Sequence, residues 1–119
     1  MTALKAAKVD FAILGREEGY HGEEVRRLGE DGLFETLVES GYETFKELDI
    51  SNLVTTSPHA FHTIAREYPI VARKLNIDGV PELRVQHHSQ LLAELLRTGA
   101  LRLNGRLERR VTYHDPCYL

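Results

Sequence analysis

Apolar residues fall in short blocks separated by turn chemistry, and the period changes from block to block. Residues 9–14 (VDFAIL) form a compact apolar run that stops at Gly15, as a strand buried on both faces would. The polar segment REEGYHG follows as a loop. Val25, Leu28, Leu33, Phe34, Leu37, Val38, Tyr42, Phe45 and Leu48 then recur at spacings of three and four. That period predicts a short helix and a longer one, with Gly29, Gly32 and Gly41 as candidate breaks. Residues 52–56 (NLVTT) read as a second strand. Ser57-Pro58 supplies an N-cap and a proline at the first helical position. The helix so begun is expected to pass Phe61, Ile64 and Ala65 to about Tyr68, with Pro69 kinking or restarting it before Leu75. After the loop NIDGVPE, residues 83–87 (LRVQH) alternate as a third strand. Ser89 then caps a helix carrying Leu91, Leu92, Leu95 and Leu96, which ends near Gly99. Residues 109–114 (RRVTYH) read as a fourth strand, stopped by Asp115-Pro116.

The order β-α-β-α-β-α-β predicts an α/β fold in three layers, with a mostly parallel four-stranded sheet and right-handed crossovers. At 119 residues the chain is expected to be a single domain, since there is little material for a second core. Hydrophobic residues at 42% and charged residues at 28% exclude collagenous and disordered classes. A formal charge of −3 provides no cationic field, so nucleic acid is not an expected partner. No apolar run is long enough to insert in a membrane, and a cytoplasmic chain is expected. Cys117 is the one cysteine, so neither an internal disulfide nor a multi-thiolate metal site can be built from this chain alone.

Under that topology the strands end near Gly15, Ser57, His88 and Asp115. The loops bearing His21, His59, His88, His114 and Cys117 would then line one sheet edge, where ligand sites of parallel sheets lie. Gly15-x-x-x-Gly19-x-x-Gly22 has the outline of a dinucleotide-binding turn, but its spacing differs, and Glu17 and Glu18 would meet the phosphate oxygens. As a general acid/base pair those two carboxylates lack a visible nucleophile. His59 and His62, three apart on a helix, point the same way and suit a metal, with His21, His87 or His88 as further ligands; one packed and one exposed histidine is the alternative. Neighbours at a strand end face opposite ways, so at most one of His87 and His88 would join a site, His88 being preferred.

The segments ILGREEGYHGEEVRRLGEDGLFETL, LVTTSPHAFHTIAREYP, VQHHSQLLAELL and VTYHDPCYL resemble, nearly end to end, the cysteine-rich CCG domain of heterodisulfide reductase catalytic subunits and related iron–sulfur oxidoreductases. In that family a cysteine in an Asp-Pro-Cys run is followed by Cys-Cys-Gly and then Cys-x-x-Cys, and the thiolates hold a 4Fe–4S cluster that passes electrons to a disulfide or a partner redox centre. The resemblance places Cys-Cys-Gly on Tyr20-His21-Gly22 and Cys-x-x-Cys on Ser57-Pro58-His59-Ala60, so the cluster-binding positions Tyr20, His21, Ser57 and Ala60 carry no thiol. Cys117 matches the opening cysteine and would belong to a following repeat, which implies a piece running from inside one repeat to the first ligand of the next. Clusters need thiolates, usually four. The resemblance therefore implies an oxidoreductase parent, with this chain itself inactive, holding no cofactor and docking on other subunits or domains of a redox complex. Whether the thiols were lost by redesign or by natural divergence stays open. The rival expectation is a metal site built from His21, His59 and His88.

Overall fold

The computed structural model describes residues 2–115. Its elements in chain order are α1 (Thr2–Ala6), α2 (Glu23–Arg27), α3 (Asp31–Glu47), β1 (Asn52–Thr55), α4 (Pro58–His62), α5 (Tyr68–Leu75), β2 (Arg84–His87) and α6 (His88–Arg97). A single 3-10 turn, Gly15–Glu17, precedes α2, and a π-helical turn, Thr63–Glu67, joins α4 to α5.

The helical stripe of the sequence is the spine of the fold. Phe34, Val38, Tyr42 and Phe45, spaced to share one face of α3, are buried. They pack against Ile64, Tyr68, Val71 and Ala72 from the π turn and α5. Phe34 meets the Tyr68 ring edge-on at 6.1 Å, and the Tyr42 and Tyr68 rings lie 5.6 Å apart. Gly41 belongs to this seam rather than to a break. A Cβ there would stand 2.9 Å from Tyr68 Cε2, so only glycine lets α5 approach α3 so closely.

β1 and β2 pair in parallel, Asn52 with Arg84 through Thr55 with His87, and the α4–π–α5 rod forms the crossover between them. The predicted start of that rod is observed. Ser57 has extended backbone, and its Oγ accepts the Ala60 N–H at 3.3 Å. Pro69 sits in the first turn of α5, where the expected restart falls. It has no N–H to give the preceding turn, and the widened π turn lies immediately before it. α6 starts two residues earlier than the Ser89 cap predicts: His87 is the cap residue, and Gln90 Oε1 accepts its N–H at 2.9 Å.

The four-stranded, three-layer arrangement is overturned. Among the described residues the sheet has two strands, and the fold is a mostly helical α/β one. Residues 9–14 run without a ladder into the 3-10 turn, with Ile13 exposed, and residues 109–114 form no strand. Both segments have strand-like composition. A strand exists only where its backbone groups find a partner and one face finds a core, and neither condition is met at either end of this chain. Cys117 lies outside the described residues.

Candidate functional site

The loop before α2 and the first turn of α4 meet beside the π turn. Gly22 makes the bend, with φ 83°, and a Cβ there would be 2.8 Å from the Phe34 ring. This bend presents Tyr20 and His21 on one side and starts α2 on the other. The Tyr68 hydroxyl donates to the His21 carbonyl at 3.2 Å and ties the loop to the core. Tyr20 Oη accepts the Glu24 N–H at 3.0 Å, and His21 Nδ1 accepts the Glu23 N–H at 3.4 Å.

Glu23 is the charged centre of the junction. Its side chain is 8% exposed, faces His59 Nδ1 at 3.3 Å and accepts from Arg27 Nε at 3.4 Å. A carboxylate buried so deeply requires such partners, because desolvation otherwise favours its neutral form. Glu67, at the end of the π turn, holds α2 from the other side: its oxygens accept from Arg26 Nε at 3.1 Å and Arg27 Nη2 at 2.9 Å, with His62 Nε2 at 3.6 Å. Arg26 also reaches Asp31 and lies over the Phe34 ring. Burial pushes the His21 imidazole below its ordinary pKa; Glu23 and Glu18 oppose this, and His59 reinforces it.

The structure thus brings His21 and His59 together around Glu23. The strand-end pair sits apart from this acid: His87 is buried, its Nε2 facing the Thr56 carbonyl at 3.3 Å and its Nδ1 the Ser89 hydroxyl at 2.7 Å, while His88 is exposed with its ring 4.2 Å from that of His87. His114 lies on the exposed C-terminal segment. Among the described residues, no three His, Cys, Asp or Glu side chains are grouped to hold a metal. Sequence reasoning missed Glu23 and Glu67, and it preferred His88 to the buried His87. The spacing of Glu23 and Arg27, four apart on one helix, was a legible signal. Glu67 gave none, being 40 and 41 residues from its arginines.

The four positions that the sequence resemblance assigned to cluster ligands, Tyr20, His21, Ser57 and Ala60, present a phenol, an imidazole, a hydroxyl and a methyl group. Tyr20, His21 and Ser57 already accept backbone N–H bonds, and Ala60 offers no donor atom. This donor set does not fit a thiolate-held iron–sulfur cluster. Among the described residues, no helix is long and apolar enough to cross a membrane.

No protein-family model matches the chain. No solved structure matches it. Curated relatives do. The chain is 40% identical over 116 residues to a probable membrane-anchored ferredoxin of Chromohalobacter salexigens, with 98% of this chain and 17% of the relative aligned. It is equally 40% identical over 116 residues to the probable iron–sulfur-binding oxidoreductase FadF of Bacillus subtilis, covering 98% of this chain and 15% of that protein. A dihydromethanophenazine:CoB–CoM heterodisulfide reductase subunit of Methanosarcina barkeri is 24% identical over 120 residues, covering 98% of this chain and 28% of that relative. The chain spans between about one-seventh and a little over one-quarter of the length of these relatives. Over nearly its whole length it is homologous to a segment of iron–sulfur oxidoreductases that include a heterodisulfide reductase subunit.

Proposed function

We propose that this chain is the thiol-depleted counterpart of a CCG domain from a heterodisulfide reductase-like iron–sulfur oxidoreductase. The parent's role is electron transfer through a 4Fe–4S cluster; this chain keeps the scaffold and does not itself hold that cluster. One observation carries the reading. The chain is 40% identical to iron–sulfur relatives over nearly its whole length, and of Tyr20, His21, Ser57 and Ala60, the positions that the resemblance assigns to ligands, three have side chains that bond local backbone N–H groups. Without a metal to organise these loops, the ion network on Glu23 and Glu67 and the Tyr68 bond to His21 hold them in place. Iron and acid-labile sulfide analysis after anaerobic reconstitution tests this. The protein is expected to return to the iron-free state on desalting, and a stoichiometric cluster retained by the folded chain overturns the reading.

The proximity of His21 and His59 across Glu23 favours a second reading, a divalent metal bound by these two imidazoles. Zinc titration of the wild type and of His21→Ala and His59→Ala separates the two: tight binding lost in both variants supports the metal site. In either case the natural partners are other subunits or domains of a redox complex, a reading to which capture of the remaining complex by the tagged chain speaks.

A further inference from the structure

Two adjoining cavities run along the α4–π–α5 rod on the side where the loop before β2 crosses it. The first, of about 500 Å³, lies between the π turn, that loop and β2. The second, of about 460 Å³, continues it along α5, and Pro69 and Val80 line both. All of the walls come from residues 42–85, so neither end of the chain shapes this groove. The loop forms one bank because it bends at Asn76 and Gly79, where φ is 52° and 66°. Ile64, Leu83 and Val85 supply an apolar wall that is continuous with the core.

The polar groups on the groove are donors. In a chain of formal charge −3, the charged side chains on the first cavity are Arg66 and Arg84, and Asp78, on the second, is the single acid among the described residues that line either. Arg84 already meets Glu94 at 3.0 Å, whereas Arg66 forms no ion pair among the described residues. Arg66, Pro69 and Arg73 are three and four apart and so share one stripe of the rod, and Arg73 lines the second cavity. Tyr42 is 5% exposed and lines the first cavity, yet its hydroxyl has no hydrogen-bond partner among the described residues. A buried phenol normally finds one, as Tyr68 does in the His21 carbonyl. The electrostatic neighbour of the Tyr42 hydroxyl is Arg73, which opposes the upward push of burial on the phenol. An open donor at this depth, with guanidinium groups along its flank, fits an anionic acceptor.

We propose that this groove binds an amphipathic carboxylate, whose head group accepts from the Tyr42 hydroxyl and pairs with Arg66 and Arg73 while its alkyl chain lies along Ile64, Leu83 and Val85. A mostly apolar hollow of this size with a few convergent polar groups is what small-molecule sites are built from. Guanidinium takes a carboxylate through paired N–H bonds, which sets this ligand apart from an alcohol or an amine of equal length. The apolar wall sets it apart from a short carboxylate such as acetate. None of His21, Glu23 and His59 lines either cavity, so the groove is separate from the junction around Glu23 and does not depend on whether that junction holds a metal.

Titrating octanoate into the full chain, followed by amide NMR, tests this. Saturable shifts of the Ala65, Val80 and Val85 amides are expected, with a dissociation constant on the order of 1 mM for so small a ligand. Octylammonium and octan-1-ol carry the same chain with the wrong charge or none, and acetate carries the head alone; each is expected to bind several-fold more weakly. Tyr42→Phe deletes a hydroxyl that bonds no other described residue, so the spectrum away from the groove is expected to stay unchanged while octanoate binding weakens about tenfold. Arg66→Ala with Arg73→Ala is expected to weaken it at least as much, and both positions are exposed, so the fold is kept. Octanoate that gives no saturable shift at these amides, octylammonium that binds as tightly, or variants that bind octanoate as the wild type does overturn the proposal.

Discussion

Removing one oxygen atom from the core tests how the loop before α2 is held. Tyr68 is 2% exposed, its ring wedged between Phe34 and Tyr42, and its hydroxyl donates to the His21 carbonyl at 3.2 Å. Tyr68→Phe keeps the packing and deletes that bond, stranding a half-buried acceptor, which costs about 1 kcal/mol at neutral pH. The same hydroxyl has the opposite effect in alkali. Burial, with a further push from Tyr42, holds the phenol far above its ordinary value of 10.0. Above that value the unfolded chain releases the phenolic proton while the folded chain keeps it. The folded state then binds more protons, and wild-type stability falls by about 1.4 kcal/mol per pH unit. Tyr68→Phe has no such proton to keep, and Tyr42, also raised by burial, contributes equally to both proteins. The stability curves are therefore expected to differ by about 1 kcal/mol at neutral pH, to meet roughly one unit above pH 10, and to cross beyond it. Urea unfolding followed by circular dichroism across that range measures both limbs with a common slope. A variant as stable as wild type at neutral pH, or two curves that stay parallel into alkali, refutes the reasoning.

Three further outcomes follow from the geometry. Phe34→Ala empties the centre of the α3–α5 seam, where Phe34 is 1% exposed, and is expected to cost about 3–5 kcal/mol, read as loss of the cooperative thermal transition near room temperature. Ser57→Ala removes the acceptor for the Ala60 N–H and is expected to cost about 1 kcal/mol in urea unfolding, while Ser57→Asp keeps the cap and should restore most of it. The His21 imidazole is expected to titrate by NMR with a midpoint below the ordinary 6.5, because burial disfavours its charged form. The unfolded chain then binds more protons, so this stabilising contribution is complete above pH 6.5 and is lost as the pH falls; a midpoint at or above 6.5 sinks the assignment.

Local rules fixed what depends on neighbours in sequence. The apolar stripe through Phe34, Val38, Tyr42 and Phe45 announced α3 and its buried face, the Ser57-Pro58 pair announced the start of α4, and the short β-branched blocks announced β1 and β2. The site was legible in part: His21 and His59 were singled out as neighbours across two loops, and both now flank Glu23. The ends of the chain were misread for a physical reason. Residues 9–14 and 109–114 have the composition of strands, but a strand is a relation between two segments, and composition reports only one of them. Only tertiary packing decided that Gly41 is a contact point for Tyr68, that Glu67 clamps two arginines some forty residues away, and that the buried histidine of the adjacent pair is His87. A period in the sequence shows that a face will be buried. Which face meets it, and which polar groups are carried inside by that meeting, is set by distances that exist only once the chain has closed on itself.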